Sequence, residues 1–253
     1  MIIKDLGNAW QLVSQTDHAD LSAAFARLWA DRTERGPSLE LATERHDDGW
    51  AVWEQAPDID RATGRPLNFL DVSVLTHLAF YRAGIAAVSE ADPYAGLLVS
   101  MHGAGIYRGR YGGQPDLKLS FADAEREQVD AFVAEQETQF EARMKACDAR
   151  DDERLRDYRL LQIYDRLSLQ FCVNDALDSP AGELYGLHLE PQGPGALSMY
   201  PFPFEGDEQS FTLLRRLLPK RRWAGGAEFR EEFFATEPER VGIRICASVP
   251  VRI

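Results

Sequence analysis

The sequence predicts a mainly α protein that carries an added β layer, and three observations lead there. Apolar residues recur at spacings of three and four through most of the first 175 or so positions, the periodicity of helices with one buried face. From about residue 183 onward the chain changes to short β-rich pieces separated by proline and glycine. At the start, "MIIKDLGNAWQLVSQ" flanks the turn-forming pair Gly7-Asn8 with β-branched and aromatic residues, which reads as a hairpin. One domain over residues 1–253 is expected: a helical core at about 15–175, with a β portion at about 183–253 packed on it.

Taken in order, Thr16 is placed to cap a first helix whose opening turn holds Asp17 and Asp20 and whose apolar face carries Leu21, Phe25, Leu28 and Trp29. That helix should end near Arg32. A second pattern runs from about Leu39 to Trp53 and is broken by "APDIDRATGRP", with its two prolines and one glycine. A third covers about Asn68 to Arg82. A fourth starts at Pro93, with Tyr94, Leu97, Leu98 and Met101 on one face, and stops at Gly103 and Gly105. Beyond the glycine-rich loop "RGRYGGQPDLK", charged helices are expected from about Phe121 to Lys145 and from about Asp152 to Phe171. In the C-terminal third, "GELYGLHLEP", "GALSMYPFPF", "EFREEFFA" and "RVGIRICASVPVRI" read as β-rich pieces. The last is the clearest strand, with Val241, Ile243, Ile245, Val249, Val251 and Ile253 on one face.

Composition narrows the function classes. With 41 acidic against 28 basic residues the formal charge is −13, which opposes sequence-independent binding to nucleic acid or to an anionic membrane surface. No stretch of about 18 apolar residues occurs, and the start lacks a basic segment followed by a long apolar run. Three widely spaced cysteines, Cys147, Cys172 and Cys246, form neither a disulfide framework nor a thiolate zinc motif and fit a reducing cytoplasm. A small-molecule substrate is the expected partner, with a homo-oligomer possible. The basic run "LLRRLLPKRRW" reads as a solvated or partner-facing surface.

Four of the five histidines fall on apolar helix faces. His18 shares a face with Leu21 and Phe25, and His46 with Ala42, Trp50 and Trp53. His77 lies between Val74 and Phe80 or Tyr81, and His102 follows Leu98 by four. One inward histidine is usually a satisfied core residue, but four desolvated imidazoles each need a partner, and a shared metal ion serves several at once. In "DYRLLQIYDRLSLQFC", Asp165 points where Tyr158, Leu161, Leu169 and Cys172 point, so it is either ligated or paired with a buried arginine such as Arg45 or Arg82. Asp47 follows His46 directly. On a regular helix the two side chains diverge by about 100°, so they reach one ion only over the edge between them. Asp48 reads as a residue that orients a ligand histidine or accepts a proton.

A histidine on an early helix, a His-Asp doublet on the next, histidines on two later helices and the aspartate of "IYDRLSL" together resemble the HD-domain superfamily of metal-dependent phosphohydrolases. "TDHADL", "HDDGW", "SMHG" and "DRLSL" look closest to a bacterial family of unknown function associated with that superfamily. The resemblance implies an HD-like helical bundle and a ligand set of His18, His46, Asp47, His77, His102 and Asp165. Such a set would hold one or two divalent ions. Iron or manganese is preferred and zinc also suits ligands that lack thiolate. The implied activity is hydrolysis of a small phosphorylated or phosphoanhydride substrate by a metal-activated water, with cations drawn from Arg45, Arg108, Arg110, Lys118 and Arg166. A di-iron oxygenase on the same ligand set, and a catalytically silent sensing module, are the alternatives. The sequence has no "GYP" segment, which argues against cyclic-dinucleotide hydrolysis.

Overall fold

The computed structural model describes residues 1–31, 33–112, 121–173 and 182–248. The N-terminal hairpin is present: β1 (Ile2–Asp5) pairs antiparallel with β2 (Ala9–Val13) around Gly7, whose positive φ of 87° is the backbone state glycine tolerates best. Helix α1 (Gln15–Leu28) follows, capped by Ser14 rather than Thr16, because the Ser14 hydroxyl accepts from the Asp17 amide at 2.9 Å. Then come α2 (Gly36–Arg45), a single 3-10 turn (Asp48–Trp50), the short α3 (Ala51–Glu54) and a small ribbon of β3 (Ile59–Asp60) and β4 (Arg65–Pro66). The expected continuous helix from Leu39 to Trp53 is therefore interrupted at Asp47. Helices α4 (Val74–Ala91), α5 (Pro93–Gly105), α6 (Arg126–Ala146) and α7 (Asp151–Cys172) complete the helical half. Asp92 caps α5 by accepting from the Tyr94 and Ala95 amides, with Pro93 in the first turn.

The C-terminal third supplies β5 (Gly182–Leu184), β6 (Leu187–Gly193), β7 (Ala196–Tyr200), β8 (Glu208–Pro219), helix α8 (Gly226–Ala235) and β9 (Glu239–Ala247). With the hairpin they form one seven-stranded sheet of order β1-β2-β8-β9-β7-β6-β5, antiparallel except where β7 runs parallel to β9. Two stretches depart from expectation here. "EFREEFFA" is helix α8, since Phe229 and Phe233, four apart, are both buried on one face. The pattern of "LLRRLLPKRRW" does not predict a strand, yet it opens as the end of β8, a twelve-residue strand, while its later charges, Lys220, Arg221 and Arg222, are exposed as expected. Arg215 bonds Glu239 and Gln11, and Arg216 lies over the Phe233 ring while donating to the Thr236 carbonyl. Val249, Val251 and Ile253 of the expected last strand lie outside the described residues.

These elements correct the fold class. At 54% helix and 22% strand, with a curled mixed sheet shaped as a half-barrel, the molecule is not a mainly α bundle of HD type bearing a peripheral β layer. The sheet is structural on both counts that matter: strand β8 joins the hairpin to the C-terminal strands, and α1 rests against it. Phe25 of α1 sits 4.7 Å from the Phe211 ring of β8 and 6.4 Å from Phe171 of α7, and a continuous apolar core runs from the helices into the sheet. A second cluster, including Trp10, Leu218, Trp223, Phe229 and Phe233, lies under α8. Among the described residues no helix is long and apolar enough to cross a membrane.

Candidate metal centre

Three polar residues that the helical pattern points inward, and a fourth that it does not, meet in the core. His18 from α1, His46 at the end of α2, Asp47 just after it and Asp165 of α7 are all buried. The break after α2 makes this possible. His46 keeps helical backbone angles, but Asp47 (φ −114°, ψ 17°) leaves them, and the two side chains converge to 3.5 Å between His46 Nε2 and Asp47 Oδ2. The turn is pressed against α4 at Gly49, where a Cβ would lie 2.0 Å from the Phe80 carbonyl oxygen, and Gly84 faces it from the other side. The glycine of "HDDGW" is thus required by a close approach of two backbones.

Around one point, His18 Nε2 lies 3.2 Å from Asp165 Oδ1 and 4.0 Å from Asp47 Oδ2, while His46 Nε2 lies 3.9 Å from Asp165 Oδ1. The far side of each ring is occupied. His46 Nδ1 is 2.7 Å from the Thr43 carbonyl, which only accepts, so Nδ1 carries the proton and Nε2 offers a lone pair. His18 Nδ1 bonds the Ser168 hydroxyl, which is also 2.9 Å from the Asp165 carbonyl and from the Ser22 hydroxyl. With Ser168 donating to that carbonyl, His18 Nδ1 donates to Ser168 and its Nε2 lone pair also faces the carboxylates. Acceptors then face acceptors among buried side chains, an arrangement that calls for positive charge at the centre. His46 Nε2 and Asp165 Oδ2 make no hydrogen bond although both are buried, so the residues fit a cation.

Tyr81 of α4 donates to Asp47 Oδ1 at 3.0 Å and orients that carboxylate. Burial, and then the Asp47 charge, pushes the Tyr81 hydroxyl well above its usual range, so it stays a donor. Burial by itself raises the Asp165 carboxyl, but its neighbours, His18 first and then the Arg110 guanidinium, outweigh it and hold Asp165 well below the usual carboxylate range.

The other expected site residues are placed differently. His102 belongs to a second close group with His46 and Asp47, yet its Nδ1 accepts from Arg110 Nη1 and Gln162 Nε2, each at 3.2 Å. Burial and then Arg110 keep its imidazole neutral, with a pKa well below the usual value. His77 joins neither group: its ring packs on Trp50 and Tyr81, and Nδ1 is 3.0 Å from the Tyr107 hydroxyl. Asp48 and Arg45, assigned proton-handling and phosphate-binding roles from sequence, pair with each other at 2.5 Å and do not line the cavity beside the centre. Arg82 pairs with Glu135 at the surface and Arg108 with Glu137, neither pairs with Asp165, and neither lines the cavity. Lys118 lies outside the described residues.

Arg110 and Arg166 do face the cavity. Arg110 is buried, donates to Gln162 Oε1 at 2.7 Å and comes within 3.5 Å of Asp165 Oδ2. It and Tyr111 both take left-handed backbone angles (φ 54° and 52°), strain that the Arg110 contacts offset. Arg166 lines the same space with its Nε unbonded, and burial lowers its guanidinium pKa. The cavity has a volume of about 690 Å³, within the range of small-molecule sites. Thr43, Tyr81, Gln162 and Ser168 were not singled out from sequence. Gln162 and Ser168 carried a usable signal, because they lie three residues either side of Asp165 on an otherwise apolar face.

No curated protein and no solved structure matches the chain. A family model described as "Protein of unknown function (DUF3891)" matches residues 1–220, a span that takes in all four converging residues and ends just beyond β8, and the chain belongs to that family.

Proposed function

We propose that this protein is a metal-dependent hydrolase of a small phosphorylated or phosphoanhydride substrate, with one divalent ion held by His18, His46, Asp47 and Asp165. The observation that carries the reading is the pair of Nε2 atoms, each backed by a hydrogen-bonded Nδ1 and each facing the Asp47 and Asp165 carboxylates at the base of a cavity. One ion fits better than two, because His46 has a single nitrogen to give and His102 offers a lone pair only if its bonds to Arg110 and Gln162 break. Imidazole and carboxylate without thiolate suit iron, manganese or zinc. When bound, such an ion supplies Lewis acidity and makes water acidic enough to ionise near neutral pH.

The chain's own groups account for the rest. Thr43 and Ser168 hold the two imidazoles in register, and Tyr81 fixes Asp47. Arg110 and Arg166 place positive charge on the cavity side of Asp165, where an anionic group would sit. The order of these ligands along the chain resembles that of HD-domain phosphohydrolases, and the likeness extends to the ligands alone, not to the fold.

Elemental analysis of the purified protein beside a His46→Ala variant tests the centre. About one metal per chain is expected in the first and far less in the second, and equal low content in both would sink it. Manganese-supported hydrolysis of p-nitrophenyl phosphate without oxygen is expected next. Oxygen consumption with iron and no hydrolysis would make it an oxygenase, and bound metal with neither activity would make it a sensing module.

A further inference from the structure

The cavity is built with two chemistries at opposite ends. Its floor is charged and buried: His18, Asp47, His102 and Asp165, with Arg110 and Arg166 beside them. Its described walls are mostly apolar, formed by Phe69, Val72 and Val74 from the segment leading into α4 and by Leu169 and Val173 from the end of α7. The apolar surface continues out to solvent. Leu70 lines the cavity and is 63% exposed, Val173 lines it and is 39% exposed, and Leu75 in the first turn of α4 is 48% exposed. Exposed leucines contiguous with an apolar cavity wall are the mark of a binding surface.

A sugar or nucleoside phosphate needs several fixed hydrogen-bonding groups along its non-reacting part, because buried hydroxyls without partners weaken binding. Here the polar side chains on the described lining away from the floor are Gln15, Ser73, His77, Tyr81, Glu125 and Gln170, of which His77 already bonds the Tyr107 hydroxyl and Tyr81 the Asp47 carboxylate, against nine apolar ones. Arginines at the floor and apolar walls up to the rim instead match a molecule that is anionic at one end and hydrocarbon along its length.

We propose that the substrate is an amphiphile: a phosphate monoester or anhydride of a hydrocarbon chain, its head against Arg110 and Arg166 and its chain along Phe69, Leu169 and Leu70 toward the mouth. This rests on the hydrolase reading for the reaction, but the recognition can be measured without turnover.

Calorimetric titration of the purified protein with inorganic phosphate and with butyl, hexyl and octyl phosphate tests it. Affinity is expected to rise about threefold to fourfold for each methylene that enters the cavity, from the transfer free energy of a buried CH₂. Octyl trimethylammonium, with the same chain and the opposite charge, is expected to bind at least tenfold more weakly than octyl phosphate. Leu70 is exposed enough for Leu70→Asn to fold, and that uncharged polar variant should flatten the chain-length dependence. Affinity independent of chain length, or no binding of any alkyl phosphate, overturns the proposal, as does equal binding of the cationic amphiphile. Chain-dependent binding without hydrolysis under manganese would leave amphiphile recognition standing and remove the hydrolase reading.

Discussion

His77 shares the cavity with the metal-site residues but is held as a neutral ring. Burial, offset in part by the Asp47 charge, lowers its pKa from 6.5 to about 4. In the unfolded chain the imidazole takes a proton as pH falls through 6.5, whereas in the folded chain it resists until about pH 4. The folded state is therefore disfavoured progressively across that window, and the stability that His77 provides is intact above pH 6.5. The full effect at pH 4 is about 3 kcal/mol. Urea titrations of EDTA-treated protein between pH 7 and 4 should show this loss, and His77→Gln should flatten it. An unchanged slope in the variant would assign the loss to other groups. At this scale the sequence was informative about which residues turn inward and silent about what they meet. Periodicity placed His77 and His102 beside the other histidines, but whether an imidazole faces a carboxylate or a tyrosine depends on neighbouring helices.

The element that matters most is the turn after α2. A regular helix through residues 39 to 53 would splay His46 and Asp47 apart. The observed break at Asp47 turns both toward α7, and contact between Gly49 and the Phe80 carbonyl holds the break in place. Gly49→Ala is expected to cost about 3 kcal/mol, since the added methyl meets backbone that cannot rotate away. It should also lower metal content, as the turn carries two ligands. A denaturant midpoint equal to that of the parent protein would show that the turn can relax. The one local mark of the break in "ATERHDDGW" is the Asp48-Gly49 pair, a turn signal that the helical periodicity around it outweighs, and α4 packing against Gly49 fixes the turn.

For the whole molecule, the sheet and the helices are one folding unit. Strand β8 pairs with β2 on one side and β9 on the other, and α1, which carries His18, packs on it through Phe25 and Phe211. A chain of residues 1–173 would leave β2 paired with β1 alone and α1 with an exposed apolar face. It is expected to show no cooperative thermal transition by circular dichroism. A sharp melt of that fragment would show that the helical half folds on its own. The sequence made the sheet look like an added layer because charges obscure β8: Arg215 and Arg216 interrupt its alternation, and their pairing with Glu239, Gln11 and the α8 end becomes evident only in three dimensions.

By itself the sequence determined the helical character of most of the first 175 or so positions, the opening hairpin and the inward direction of His18, His46 and Asp165, because periodicity and turn chemistry are local properties of the chain. It misplaced the bounds of the second and third helices. Tertiary structure alone decided that β8 joins the hairpin to the C-terminal strands in one seven-stranded sheet. It also decided that Arg110 and Arg166 face the cavity, while the local Arg45–Asp48 pair does not line it. Those outcomes depend on which distant segments come into contact, and no local pattern encodes a contact between residues a hundred positions apart.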